Sequence, residues 1–294
     1  MYRRQKILLA LLEQFGGELS RTALQKLLFL YCKRNDDAVY EFVPYQYGCY
    51  SFQAAADQQK LAAAGFLHDT EKWRLVPRST RHVDRLSRTE KDALWSLKND
   101  FGRLSQRELV RHVYTAYPYY ASRSRIAREY LSKSEQERVI SSAPPVSGTL
   151  VCSIGYEGLA LESYLNKLLH NDIKVVCDVR RNPLSRKFGF SKTMLRTALG
   201  HLGIEYRHFP QLGIASEKRC KLESQTGYDA LFDEYESTTL IDAGRDVEAI
   251  TELLEQRQRI ALLCFERLAC QCHRTRVLNA VLANIDQDIP VSNE

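Results

Sequence analysis

Apolar positions follow two different rhythms along this chain. In the first part they recur at intervals of three and four. Ile7, Leu8, Leu11, Leu12 and Phe15 keep that helical period and stop at Gly16-Gly17. Ser20 is placed to cap a second helix carrying Leu24, Leu27, Leu28 and Tyr31. A third apolar stretch runs from Ala54 to Ala64 and ends at Gly65, after which Trp73-Arg74-Leu75-Val76 has the look of a hairpin strand. Helices followed by a small β wing predict a mostly helical, winged-helix-like domain over residues 1–131, a shape that places a helix in a DNA groove. An interaction domain of the same shape satisfies the pattern equally.

From residue 150 the rhythm changes to short apolar runs alternating with amphipathic stretches. Strands are predicted near 151–155, 175–179, 204–207 and 260–264, and helices near 159–169, 191–202, 228–236, 246–257 and 274–284. That alternation defines an α/β domain over 150–294, with a mainly parallel sheet and flanking helices. Residues 132–149 contain Ser141-Ser142-Ala143-Pro144-Pro145 and few large apolar side chains, the composition of a linker.

Three of the predicted strands end in chemistry. Val151-Cys152-Ser153-Ile154-Gly155 runs into Tyr156-Glu157, and Val175-Val176-Cys177 runs into Asp178-Val179-Arg180-Arg181. Ile260-Ala261-Leu262-Leu263-Cys264 runs into Phe265-Glu266 and on to Cys270-Gln271-Cys272-His273-Arg274. In open α/β sheets the carboxyl ends of strands border the ligand crevice, so these groups are expected to form one site.

Charge divides the chain as the rhythm does. Residues 1–131 hold 22 Lys+Arg against 14 Asp+Glu, whereas residues 150–294 hold 18 against 20. A basic first half joined to a neutral second half suits a polyanion-binding module, with DNA the expected partner, although a solvated helical surface has the same composition. Arg78, Arg81 and Arg85, with Arg88, are spaced to lie along one helical face; Arg103, Arg107 and Arg111 repeat the pattern, and Tyr114, Tyr117, Tyr119 and Tyr120 follow. Interleaved Arg and Tyr serve phosphate contact and base stacking, or the tyrosines simply pack. No apolar run approaches the roughly 18 residues of a membrane span, and Glu13 cuts short the only stretch resembling a leader. Eight cysteines, several within predicted strands, point to a reduced cytoplasmic chain.

The motifs Ser153-Ile154-Gly155-Tyr156-Glu157-Gly158, Asp178-Val179-Arg180-Arg181-Asn182-Pro183-Leu184-Ser185-Arg186, Gly189-Phe190-Ser191 and Cys272-His273-Arg274 resemble domain of unknown function 488, over Ser153 to Leu282. That resemblance implies a domain and no activity. A looser likeness joins Asp178-Val179-Arg180 and Cys264 to rhodanese-type domains, which cradle an anion between the cysteine and an arginine six residues on. Here that position is Cys270, and the arginine comes only at Arg274. Leu24-Gln25-Lys26-Leu27-Leu28-Phe29-Leu30 and Tyr47-Gly48 resemble antitoxin-type helical domains of the Panacea group.

Several functions remain open at this stage. The first is a DNA glycosylase that flips an unusual or modified base and hydrolyses its bond to the sugar, with a part in defence against foreign DNA. Asp178, Glu157 and Glu266 are its candidate catalytic carboxylates, since glycoside cleavage uses carboxyl pairs. Tyr156 is the candidate base stacker, and Arg180, Arg181, Arg186, Lys192, His273 and Arg274 the candidate substrate-binding groups. Asp178 can instead pair with Arg180 or Arg181 and hold their loop, and Tyr156 can be a buried structural ring. The second function is a rhodanese-like sulfurtransferase using Cys264 or Cys272. The third is a non-catalytic DNA- or protein-binding regulator. Cys264, Cys270, Cys272 and His273 have the residue types of a zinc site, but the adjacency of Cys272 and His273 is awkward for one tetrahedral ion, and neither metal nor cofactor is expected.

Overall fold

The computed structural model describes residues 1–77, 79, 81–219 and 224–294, and the chain divides into two compact units, Met1–Ala143 and Pro144–Glu294. The first unit begins with α1 (Arg3–Gln14), β1 (Glu18–Ser20) and α2 (Arg21–Arg34). A short hairpin follows, β2 (Val43–Tyr45) and β3 (Gly48–Tyr50), then α3 (Phe52–Ala63) and a second hairpin, β4 (Leu67–Asp69) and β5 (Lys72–Leu75). Strand β1 joins that second hairpin in a sheet ordered β1-β5-β4, antiparallel throughout. This is winged-helix connectivity with one hairpin inserted between the second and third helices.

Helices α4 (Arg88–Phe101), α5 (Gln106–Ala116), α6 (Ala127–Tyr130) and α7 (Lys133–Ser141) complete the unit. Three of them start on the same local device. Ser87 with Glu90, Ser105 with Glu108 and Ser132 with Glu135 each form a capping box, which satisfies orphan amides at the helix start. The third box changes the picture of 132–149: half of that stretch is α7, because Ser132-Lys133-Ser134-Glu135 is a helix start and Val139 is buried. The unit boundary falls after it, next to Pro144-Pro145.

The second unit is built on five parallel strands ordered β10-β6-β9-β7-β8. They are β6 (Leu150–Gly155), β7 (Val175–Asp178), β8 (Glu205–His208), β9 (Arg259–Cys264) and β10 (Val291–Asn293). The helices are α8 (Leu161–His170), α9 (Lys192–His201), α10 (Gln225–Ser237), α11 (Thr239–Asp242), α12 (Gly244–Arg257) and α13 (Arg274–Ala283). Strands β7 and β9 are buried almost end to end, as expected when helices cover both faces of a parallel sheet. Among the described residues, no helix is long and apolar enough to cross a membrane.

Candidate functional site at the carboxyl edge of the sheet

Register brings the three polar strand ends together. Gly155 stands opposite Cys264 across β6 and β9, and Asp178 stands opposite Leu263 across β7 and β9. Beyond the strands the pairing continues, with Glu157 N donating to Phe265 O at 2.9 Å. The segment after Cys264 then crosses directly over Gly155. A Cβ on that glycine would lie 1.9 Å from the carbonyl oxygen of Glu266, so only glycine admits the crossing.

Asp178 is fully buried, and its carboxylate is spent on its neighbours. Oδ1 accepts from Arg180 N at 3.1 Å and Arg180 Nε at 2.8 Å; Oδ2 accepts from Arg180 Nη2 at 2.5 Å and from the Tyr206 hydroxyl at 2.6 Å. Burial works against the Arg180 charge, but the hydrogen bonds and charge of Asp178 outweigh it and hold the guanidinium above its ordinary pKa. Burial, reinforced by Asp178, raises the Tyr206 phenol. A bidentate pair with four donors leaves no face for water, so Asp178 positions the loop that follows it rather than touching a substrate.

The Arg180 side chain belongs to the same buried network. Its Nη1 donates to the Tyr156 hydroxyl at 3.1 Å and to Phe190 O at 2.9 Å. Tyr156 itself is buried and stacked on Phe190, with centroids 4.2 Å apart and planes 9° from parallel. Its ring is not open to a base. The exposed ring at this edge is Phe265, 44% accessible and edge-on to Tyr156, with exposed Leu268 three residues beyond it in the chain.

Cys264, Glu266, Cys272 and His273 form the densest group of reactive side chains. Both thiols donate to Glu266 Oε2, each at 3.1 Å, and Cys264 Sγ lies 3.8 Å from His273 Nδ1. His273 Nε2 meets Val179 O at 3.0 Å; a carbonyl only accepts, so Nε2 carries a proton and donates it, and Nδ1 faces the thiol side. Burial, then the neighbouring Cys264 and Glu266, push the Cys272 thiol well above its usual range. The two cysteines and the histidine are buried, whereas Glu266 is half-buried. Cys270 is exposed and lies outside the group that Glu266 completes. These four are the described residues able to hold a metal ion together, since their donor atoms all lie within 4.8 Å of one another.

The remaining sequence-predicted residues separate into buried and exposed. Arg274 is buried, donating to Ser153 Oγ at 2.9 Å, to Arg267 O at 3.0 Å and to Glu266 O. It fastens the crossing segment and is not available to phosphate. Glu157 is exposed, with Oε2 accepting from Arg267 N at 3.1 Å. Arg181, Arg186 and Lys192 are exposed; Arg181 reaches Gln211 Oε1 at 3.2 Å and Lys192 Nζ lies 3.0 Å from His208 Nδ1. A cavity of about 160 Å³ opens beside Arg181, Lys218 and Tyr235, and the Tyr235 ring packs against His273 at 5.6 Å. Tyr206, Phe190, Ser153 and Phe265 are site residues to which the sequence assigned no role of their own.

The arginines of the first unit are less uniform than their spacing suggests. Arg78 lies outside the described residues. Pro77 follows the strand end, and among the described residues only the turn Val83–Arg85 is helical between it and α4, so Arg81, Arg85 and Arg88 do not share one helical face. Arg103 precedes α5. Arg107 donates to Glu129 O at 2.8 Å and lies over the Tyr130 ring, and Arg111 makes a bidentate pair with Glu135. Arg81, Arg85 and Arg103 are exposed and carry no ion pair among the described residues. The tyrosines pack: Tyr114 is buried, and Tyr117 and Tyr120 lie edge-on to Phe29 at 4.9 and 4.6 Å. Helix α3, which precedes the wing, carries only Asp57 and Lys60 as charged residues, and Asp57 is buried against Arg4, Gln5 and Tyr40.

An open parallel α/β sheet with its reactive groups gathered at the carboxyl edge is the class of domain that the second unit defines. Residues 160–282 match the family model described as Domain of unknown function DUF488. The comparison with curated proteins finds no match.

Proposed function

We propose that this chain is a cytoplasmic, DNA-acting hydrolase. Its second unit cleaves the base–sugar bond of an unusual or modified base rotated out of the duplex, and its first unit contributes phosphate contacts. One observation carries this reading: at the end of the central strand β9, an exposed aromatic ring, Phe265, directly precedes a half-exposed carboxylate, Glu266. An exposed ring offers a stacking face to a flipped base, worth about 1–3 kcal/mol in comparable sites. Glu266 protonates the departing base or takes the proton of the attacking water, and exposed Glu157 at the end of the neighbouring β6 is the second carboxylate of the pair. Water oxygen bonds to the anomeric carbon, and the base leaves with a proton. Arg181, Arg186 and Lys192 are the exposed cations beside this edge suited to phosphate.

A base worth excising without damage to the host's own DNA is one carried by foreign DNA, which sets the proposed role in defence. The described cysteines are free thiols, most of them buried, which suits a reducing compartment. The test is incubation of the purified chain with plain and naturally modified DNA. Free base and alkali-sensitive strands are expected from wild type, and neither from Glu266→Gln; intact DNA of every kind rejects the reading. Sulfur transfer is the second reading, favoured by the 3.8 Å approach of Cys264 Sγ to His273 Nδ1. Thiocyanate formed from thiosulfate and cyanide would mark it.

A further inference from the structure

We propose that Cys264, Cys272 and His273 bind a divalent metal ion of the zinc class, with Glu266 as an exchangeable fourth ligand. Four donor atoms of three kinds lie within 4.8 Å of one another, two sulfurs, an imidazole nitrogen and a carboxylate oxygen. Zinc bonds of roughly 2.0–2.3 Å place tetrahedral ligand atoms about 3.3–3.8 Å apart, so small side-chain rotations close the set. Paired thiolates with an imidazole favour zinc over the hard cations.

The surroundings of the group are those of a ligand set. His273 donates Nε2–H to Val179 O at 3.0 Å, which fixes the ring and aims Nδ1 at Cys264. Backbone carbonyls commonly orient metal-bound histidines in this way. The adjacency of Cys272 and His273 is resolved by the backbone: Cys272 is extended (φ −133°, ψ 131°) and His273 turns to the right-handed helical region (φ −62°, ψ −17°). That turn, with the short Nδ1 arm of the ring, sends both side chains to one side. Both thiols already point at one Glu266 oxygen, so an ion takes the place of two S–H protons, which pass to solvent on binding. Buried Arg274, tied to the carbonyls of Glu266 and Arg267, fixes the backbone that carries the carboxylate. Its charge also stands beside Cys272 and opposes the negative charge of the ligands.

Burial assigns different parts to the four groups. The thiols and imidazole are sealed from solvent, and Glu266 is the member that solvent reaches. It is therefore the ligand that yields to water and then stands within reach of that water's proton. This last step rests on the hydrolase reading above; metal binding does not.

The test uses the full chain, purified without chelator and then stripped and titrated with Co²⁺. About one equivalent is expected to bind, with a sulfur-to-cobalt charge-transfer band in the near ultraviolet, displaced by one equivalent of Zn²⁺ and accompanied by proton release. Cys272→Ser should weaken the band and the affinity by at least tenfold, and Glu266→Gln should retain the ion. A folded wild-type chain that takes up no Co²⁺ or Zn²⁺, or shows no thiolate band, overturns the proposal without needing any variant. Loss of the ion in a folded Glu266→Gln chain overturns the exchangeable role of that carboxylate. Bound metal with no base released from any DNA rejects the hydrolase reading alone, whereas base release by a chain that binds no metal rejects the metal site alone.

Discussion

The imidazole of His273 hydrogen-bonds the carbonyl of Val179 at 3.0 Å, joining the segment after β9 to the residue that follows β7. Ninety-four positions of chain separate the two, and the bond fixes which ring nitrogen faces the thiols. On the other side of Val179, Asp178 and Arg180 lock the next loop into the interior. The reactive group on β9 and the buried ion pair on β7 therefore share one backbone support.

Asp178→Asn should be a stability variant. Removing one partner of a buried pair leaves an uncompensated charge and costs about 3–5 kcal/mol. Urea unfolding should show that loss, and the double variant Asp178→Asn, Arg180→Met should recover part of it. A cost below about 1 kcal/mol would contradict the positioning role.

Gly155→Ala should break the crossing of Glu266 over β6, because the added carbon would overlap that carbonyl at 1.9 Å. The site segment must shift, at a cost on the order of 1–3 kcal/mol, as for overpacking in a core. Unchanged stability and unchanged protection of the Glu157 amide from hydrogen exchange would contradict it.

Periodicity was enough to read the winged order of the first unit and the strands β6, β7, β8 and β9. Strand β10 was illegible, because three residues that pair only through a parallel edge carry no pattern of their own. The capping box at Ser132 was present in the sequence but stood in a stretch poor in apolar residues, so Pro144-Pro145 dominated it. Convergence at the carboxyl edge was legible from strands ending in charge. Accessibility was not. Whether Asp178 faces solvent depends on Tyr206, 28 residues on, and whether Tyr156 or Phe265 is the open ring depends on Phe190 filling the space beneath Tyr156. The substitution of Glu266 for Cys270 in the reactive group likewise rests on the turn Ala269–Gln271, which turns Cys270 outward.

The first unit's arginines should separate by partner. If the unit contacts DNA phosphates, replacing Arg81, Arg85 and Arg103 with Gln should make the slope of log affinity against log salt less negative by about 0.9 per lost contact. Arg111→Gln, which loses the Glu135 pair on a half-exposed surface, should cost at most about 1 kcal/mol of stability. Equal salt slopes in the wild type and the triple variant would remove those three residues from the interface.

Thiol reactivity should follow burial. Burial pushes Cys49 up to about 11 and Cys152 up to about 12, so both stay protonated at pH 8 and inert to alkylation in the native state. Exposed Cys270 should label first among the described cysteines, as peptide mapping of a brief iodoacetamide pulse would show. Early labelling at Cys49 or Cys152 would contradict the buried positions given to them.

The most direct test of the central claim is quantitative release of base from naturally modified DNA by wild-type and Glu266→Gln protein at matched stability. Release by wild type and a loss of at least a hundredfold in the variant is the expected result, with Asp178→Asn affected only as far as it is unfolded. Full release by Glu266→Gln, or dependence on the Asp178 carboxylate in a chain that is still folded, would contradict it.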